Sequence, residues 1–178
     1  MEPQIRIRSL ERSDFRDRLD CGEPALDLFL RQYAGQDQWR HHIAVTYVAV
    51  EESTRVVVGF VTVAGGTLNP TQARAAQIAT GGYSQVPVLR VARFAVDRRL
   101  QGLGLGDELL RYAMQIAVAQ AGLVGCTGVV VDAKPSAQAF YERFGFCAFG
   151  LVRGPLPVRP RPVPMFLELE SIKEALGE

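Results

Sequence analysis

At 178 residues, 48% of them hydrophobic, the chain can bury one full-sized core but is too short for two comfortable domains, so a single domain over residues 1–178 is expected. Twenty basic residues against 19 acidic ones leave a formal charge of +1, which excludes a global field drawing the protein onto nucleic acid or an anionic membrane. The three cysteines, Cys21, Cys126 and Cys147, form no Cys-x-x-Cys pair and have no histidine cluster beside them, which argues against a disulfide framework or a zinc site and for a reducing compartment.

The N-terminus lacks the basic-then-apolar layout of a signal peptide, and apolar runs are broken by Gly59, Gln115 or Gln120 before they could span a bilayer, so a soluble, cytoplasmic protein is expected. Gln4 to Arg8 alternates polar and apolar, the pattern of a half-buried first strand. A helix over Glu11 to Leu19 is expected next. Asp20 to Leu26 then reads as a turn and helix start, with Pro24 near the first helical position, and Leu26, Phe29, Leu30 and Tyr33 form an apolar stripe at helical spacing. His41 and His42 follow at the entry to a strand and receive no role.

Ile43 to Val50 and Val56 to Ala64 are β-branched and apolar, joined by the polar hairpin Glu51 to Thr54, with Gly65-Gly66 expected to end the second strand. A partly helical excursion, Thr71 to Ile78, and a loop through Gly81-Gly82 follow; a long loop in a compact domain covers or shapes a site. Val88 to Val96 reads as a strand, Glu108 to Gln120 as a buried helix stopped by Gly122, and Gly128 to Val131 as a strand covered on both faces. Strand, helix, strand in that order is a parallel βαβ unit. A short helix carries Ala137, Phe140, Tyr141 and Phe144 and ends at Gly145. Phe146 to Leu151, a proline-rich connector from Pro155 to Pro164, a last strand from Met165 to Leu169 and a charged, partly helical tail complete the chain, which contains no internal repeat.

The chemistry concentrates in Gln101-Gly102-Leu103-Gly104-Leu105-Gly106-Asp107, between the strand that ends at Val96 and the helix that follows. A strand turning directly into a helix leaves the first amide N–H groups without acceptors, with the positive end of the macrodipole behind them. Glycines there let a phosphate reach the backbone. The dinucleotide pattern Gly-x-Gly-x-x-Gly fails, because the last glycine would have to be Asp107 or Leu109, and no Gly-Lys-Ser/Thr follows to make a P-loop. A glycine-rich turn before a buried helix is the plain alternative, but a turn needs one glycine rather than three.

What fits is Gln-x-x-Gly-x-Gly at Gln101, Gly104 and Gly106, and this stretch resembles the pyrophosphate-binding loop of the GNAT superfamily of acyl-CoA N-acyltransferases. A second string, Lys134-x-x-Ala137-x-x-Phe140-Tyr141-Glu142-x-Phe144-Gly145-Phe146, resembles that superfamily's C-terminal motif, Asn-x-x-Ala-x-x-x-Tyr followed by Gly-Phe. The resemblance implies an α/β (α+β) GNAT fold: a central mixed sheet of six to seven strands flanked by helices, with a splayed pair of parallel strands holding acetyl-CoA. It further implies that Phe94, Ala95 and Val96 line the pantetheine arm, that the amides of Gln101, Gly102, Leu103, Gly104, Leu105, Gly106 and Asp107 take the pyrophosphate, and that no metal takes part. Lys134 departs from the motif's asparagine and cannot accept a hydrogen bond, which leaves it only a donor's role toward the cofactor.

Periodicity alone places Tyr141 on the apolar stripe of its helix, as packing. The family motif instead implies a general acid: a phenol with pKa near ~10 is protonated at neutral pH and can donate to a departing thiolate. No base is evident. An α-amine near ~7.7 to 8 is largely competent without one, whereas a lysine amine near ~10.4 is not.

Asp20-Cys21-Gly22-Glu23-Pro24-Ala25-Leu26, Arg93-Phe94-Ala95-Val96-Asp97, the glycine loop and Phe140 to Phe146 together look like the branch containing the toxins of GNAT-type toxin-antitoxin modules. That likeness implies acetylation of the α-amine of aminoacyl-tRNA, restraint by a ribbon-helix-helix antitoxin, and a homodimer. Arginines at Arg90, Arg93, Arg98 and Arg99, with more at Arg153, Arg159 and Arg161, suit a local tRNA patch or, equally, a solvated surface. Three readings stay open: the aminoacyl-tRNA toxin, a GNAT enzyme for a small amine or protein N-terminus, and a non-catalytic acyl-CoA-binding module.

Overall fold

The computed structural model describes residues 2–150 and 161–178. Seven strands, β1 (Ile5–Ser9), β2 (Val45–Glu51), β3 (Val57–Leu68), β4 (Val86–Val96), β5 (Gly128–Ala133), β6 (Cys147–Ala148) and β7 (Val163–Glu168), hydrogen-bond in the order β1-β2-β3-β4-β5-β7-β6. The helices are α1 (Pro24–Leu28), α2 (Ala34–Trp39), α3 (Pro70–Ala75), α4 (Leu105–Leu123), α5 (Gln138–Glu142) and α6 (Leu169–Leu176). The β4–α4–β5 crossover has the length that parallel neighbours require, whereas the pairs β1–β2, β2–β3, β5–β7 and β6–β7 are antiparallel.

Two compact units arise from this chain, Met1–Ala64 with Val91–Ala113 and Gly65–Arg90 with Met114–Glu178, so that β3, β4 and α4 each run through both. The first unit centres on Leu30, Val48, Val57 and Phe60, all fully buried, with Leu10, Leu19 and Ala95 around them. The second has its own apolar cluster of Leu68, Ala73, Val86, Val88, Val130 and Phe166.

In the first unit the expected helix over Glu11 to Leu19 does not form. Asp14 folds its carboxylate back onto the N–H of Glu11 (2.8 Å) and takes both guanidinium nitrogens of Arg8 (2.7 and 2.8 Å), while Phe15 bridges to Val56. A side chain that satisfies its own local backbone competes with a helix, and here it wins. The stripe after Pro24 is helical, but Ala34 donates to the carbonyl of Phe29, five residues back, so the run Phe29–Tyr33 is a π-turn. The extra residue rotates the stripe: Phe29 and Leu30 are buried, Tyr33 is 48% exposed, and Ala34 takes the buried place.

Two further boundaries differ from expectation. Gly65 and Gly66 do not end β3, because the long neighbour β4 carries the ladder on to Leu68. Gly122 lies inside α4, which stops where the N–H groups of Val124 and Gly125 both return to Gln120. Excursion Thr71 to Ile78 contains α3, opened by a capping box in which Asn69 Oδ1 accepts from Gln72 N–H and Gln72 Oε1 from Asn69 N–H. Strand Phe146 to Leu151 shrinks to the two residues of β6, and β7 begins at Val163, inside the expected connector. Leu151, the connector from Pro155 to Pro160, Arg153 and Arg159 lie outside the described residues.

Candidate active site

The first unit supplies the glycine loop expected to bind an anion. β4 ends at Val96, Asp97 starts a single 3-10 turn over Arg98–Leu100, and Gln101 is still extended. Gly102 and Gly104 then take φ of +78° and +93°, a left-handed conformation costly to residues with a Cβ, and a Cβ at either would meet nothing within 4 Å. The loop therefore faces open space. Leu105 turns inward as the first residue of the 19-residue α4, and the first N–H groups of a helix have no acceptor within it. A Cβ at Gly59 on β3 would lie 3.1 Å from Leu109 and 3.2 Å from the Ala95 carbonyl, so a bare glycine lets the start of α4 settle onto its sheet.

This loop is bolted down by residues that sequence reasoning missed or valued otherwise. Asp97, 2% exposed, accepts from the N–H of Asp20 (3.3 Å) and from the N–H and Nε of Arg99 (3.0 and 2.9 Å). Burial pushes its carboxyl up, but Arg99 and the two N–H groups outweigh that and hold it below the usual carboxylate range. Gln101 Nε2 donates to the carbonyls of Val96 (2.9 Å) and Cys21 (3.0 Å), so its side chain shapes the loop. The Asp20-Cys21-Gly22 turn is thus tied to the glycine loop, and Arg98 adds a bond from Nε to Asp20 (3.0 Å). Burial first, then Asp27, pushes the Cys21 thiol up to about 12, so it is a packed thiol rather than a nucleophile.

On β4 the expected arm-lining residues differ among themselves. Phe94 is half-buried, Ala95 belongs to the apolar core, and the Val96 carbonyl already serves Gln101. Arg93 lies over the Phe29 ring at 5.0 Å and donates to the Ala92 carbonyl, while Arg98 and Arg99 pair with Asp20 and Asp97. Of the expected arginine patch, Arg98 and Arg99 are therefore each paired with a carboxylate.

The second unit carries Tyr141, the residue expected to be the acid. Tyr141 on α5 is 5% exposed and packs edge-on against Phe140 (5.2 Å) and Phe146 (5.5 Å). Burial pushes its phenol up to about 12, so it holds its proton throughout the physiological range. Lys134, exposed, sits at the start of the 3-10 turn that leads into α5, with no side-chain capping bond. The same unit holds a cavity of about 690 Å³ lined by Leu68, Ala75, Val130 and Phe149 and by Arg90 and Asp132, which pair at 3.4 Å. α3, within the 71–78 excursion, forms one wall of that cavity.

A family description, the Acetyltransferase (GNAT) family, matches residues 5–146, drawn from both units. The chain belongs to the GNAT acetyltransferase family. Among relatives, this GNAT chain is 35% identical over 129 residues to a tRNA-acetylating toxin of Mycobacterium tuberculosis (strain ATCC 25618 / H37Rv), covering 70% of this chain and 74% of the relative. Its fold superposes on the AtaT toxin complexed with acetyl-methionyl-tRNAfMet with a TM-score of 0.79 at 27% identity, over 97% of this chain and 99% of AtaT. A tyrosine-to-phenylalanine mutant of AtaT, bound to the C-terminus of the antitoxin AtaR and to acetyl-CoA, gives 0.75 at 27% identity, over 98% and 99%. As a GNAT member this protein is an N-acetyltransferase built on a seven-stranded mixed sheet.

Proposed function

We propose that this enzyme transfers acetyl from acetyl-CoA to the α-amine of aminoacyl-tRNA and so acts as a translation-arresting toxin in the cytoplasm. The observation that carries the reading is the open glycine loop at the head of α4, on a chain whose relatives include a tRNA-acetylating toxin. The residues fit the donor. A doubly charged pyrophosphate suits the open loop from Gln101 to Asp107 and the positive end of a 19-residue helix, with Gly102 and Gly104 removing the Cβ atoms in its way. Phe94, Ala95 and Val96 would offer the edge of β4 to the pantetheine amides, and Lys134 would donate to the cofactor.

When bound, acetyl-CoA supplies an acetyl group activated as a thioester. The chain's own part is to hold that group, to exclude water, and to deliver one proton from Tyr141 Oη to the sulfur as the C–S bond breaks. The new N–C bond forms to an amine that has lost its ammonium proton to solvent, which an α-amine with pKa near ~7.7 to 8 does unaided, and the second proton that the nitrogen sheds on forming the amide restores the phenol by way of solvent. Solved relatives of AtaT and KacT that carry a tyrosine-to-phenylalanine substitution support a working phenol. A ribbon-helix-helix antitoxin as inhibitor and a homodimer as the active form belong to the same reading, supported by the AtaR-bound relative and by the branch likeness respectively.

Purified protein, labelled acetyl-CoA and bulk charged tRNA test it. The expected result is label in N-acetyl-aminoacyl-tRNA that base hydrolysis of the ester releases. Label only in small amines or peptide N-termini would instead support the second reading, which the pairing of Arg98 and Arg99 with Asp20 and Asp97 favours by weakening the polyanion patch. Acetyl-CoA binding with no acceptor at all would leave the acyl-CoA-binding module.

A further inference from the structure

The cavity of the second unit shares no lining residue with the glycine loop or with Phe94 to Val96, and its construction is specific. At about 690 Å³ it lies within the range of sites that enclose a whole ligand, and it is far larger than a small free amine would need. Its floor is the unit's own core: Leu68 and Val130 are each 1% exposed, and Phe149 packs edge-on against Phe166 at 6.4 Å. Against that floor a charged group would be desolvated without a partner, whereas an apolar one gains.

The rim is polar and built mostly of donors. The oxygens of Asn69 and Gln72 are engaged in the capping box of α3, so their NH2 groups are what these side chains can turn to the cavity. Arg90 adds a guanidinium. Asp132 is the one carboxylate among the lining residues, and its pairing with Arg90 leaves that wall without net charge. An apolar floor under a donor-rich rim matches a molecule with an apolar body and an oxygen-rich neck. An amino acid esterified to a ribose has that form.

We propose that this cavity is the acceptor-selecting site, taking the side chain of the esterified amino acid on Leu68, Val130 and Phe149 and the ester and terminal ribose along Arg90, Asn69 and Gln72. The inference rests on the aminoacyl-tRNA reading and deepens it: charged tRNAs carrying large apolar amino acids are the preferred substrates, ahead of glycyl and of aspartyl or lysyl ones.

A panel of individually charged tRNAs tests this with two variants. Ala75 is exposed at the end of α3, so Ala75→Phe narrows the cavity without touching the core, and Phe149→Ala removes part of the floor. In the wild type, kcat/KM for methionyl-, isoleucyl- or phenylalanyl-tRNA should exceed that for glycyl-tRNA at least ~10-fold. Both variants should cut that ratio ~10-fold or more, with acetyl-CoA affinity by calorimetry within ~2-fold as the sign of an intact fold. Acetylation of charged tRNA with ratios that neither variant moves, or a wild-type preference for glycyl or charged aminoacyl groups, overturns this inference alone. No acetylation of any charged tRNA overturns the aminoacyl-tRNA reading and this inference with it.

Discussion

The end of β4 and the cavity of the second unit are built in opposite ways. At the first, a carboxylate that is 2% exposed, a glutamine bridging two carbonyls and two left-handed glycines leave the backbone a single path. At the second, the polar walls are a surface ion pair, with side chains 35% and 54% exposed, and a capping box on a six-residue helix. Tight support belongs where one unvarying ligand part, a pyrophosphate, must meet main-chain N–H groups within hydrogen-bond distance. Weakly paired walls over an apolar floor belong where shape selects among acceptors, because such walls change without unfolding the protein.

The largest expected effect is chemical and lies on the second side of that contrast. Tyr141→Phe should lower kcat by about 10² to 10⁴-fold while acetyl-CoA still binds, read by steady-state kinetics beside calorimetry. Because burial holds the phenol at about 12, the wild-type rate should rise as the acceptor amine deprotonates and stay level past pH 10, where an ordinary tyrosine would begin to ionise. A falling rate between pH 9 and ~10 would place the acid elsewhere.

Next comes the lock at β4. Asp97→Asn should cost about 2 kcal/mol at pH 7, measured by urea unfolding, since it weakens charge-assisted hydrogen bonds to a buried group. The sign with pH follows from the lowered carboxyl: its contribution is present above the ordinary carboxylate range and is lost as pH falls through the depressed value. Wild type and variant should therefore converge below pH ~4. Gly104→Ala should cost about 1–2 kcal/mol through left-handed strain alone, because its Cβ has room, and the loss should appear as weaker acetyl-CoA binding with the acceptor preference unmoved.

The smallest effects test the looser side. Arg90→Gln should change stability by less than about 1 kcal/mol, as breaking exposed ion pairs does, while altering acceptor KM. Thiol alkylation separates the two regions without mutation. Exposed Cys147 should react first, and Cys21, its thiol pushed up to about 12 inside the locked turn, should stay protected until denaturant is added. Rapid loss of both thiols in native buffer would mean that the turn is not locked.

Much of this protein was legible in its residues because local physics decided it. Alternation in β1 and β2, the apolar width of α4, the glycines before it and the two spaced motifs each report on neighbours within a few positions, and they located the strands, the anion loop and Tyr141. What the residues could not announce depended on which side chains and backbone groups the fold brings together. Asp14 breaks an expected helix because Arg8 stands on the adjacent strand, Asp97 is buried because Asp20 arrives from 77 positions away, and Arg98 and Arg99 lose their patch to carboxylates. The cavity is the extreme case: Leu68, Arg90, Val130 and Phe149 share no motif and meet only when β3, β4, β5, β7 and β6 are assembled into one sheet in that order. Backbone periodicity and glycine spacing are properties of short segments, so sequence alone pointed to the family and to the glycine loop before α4. Burial and ion pairing are sums over neighbours, so only the tertiary structure could decide which charges are neutralised and what shape is offered to the acceptor.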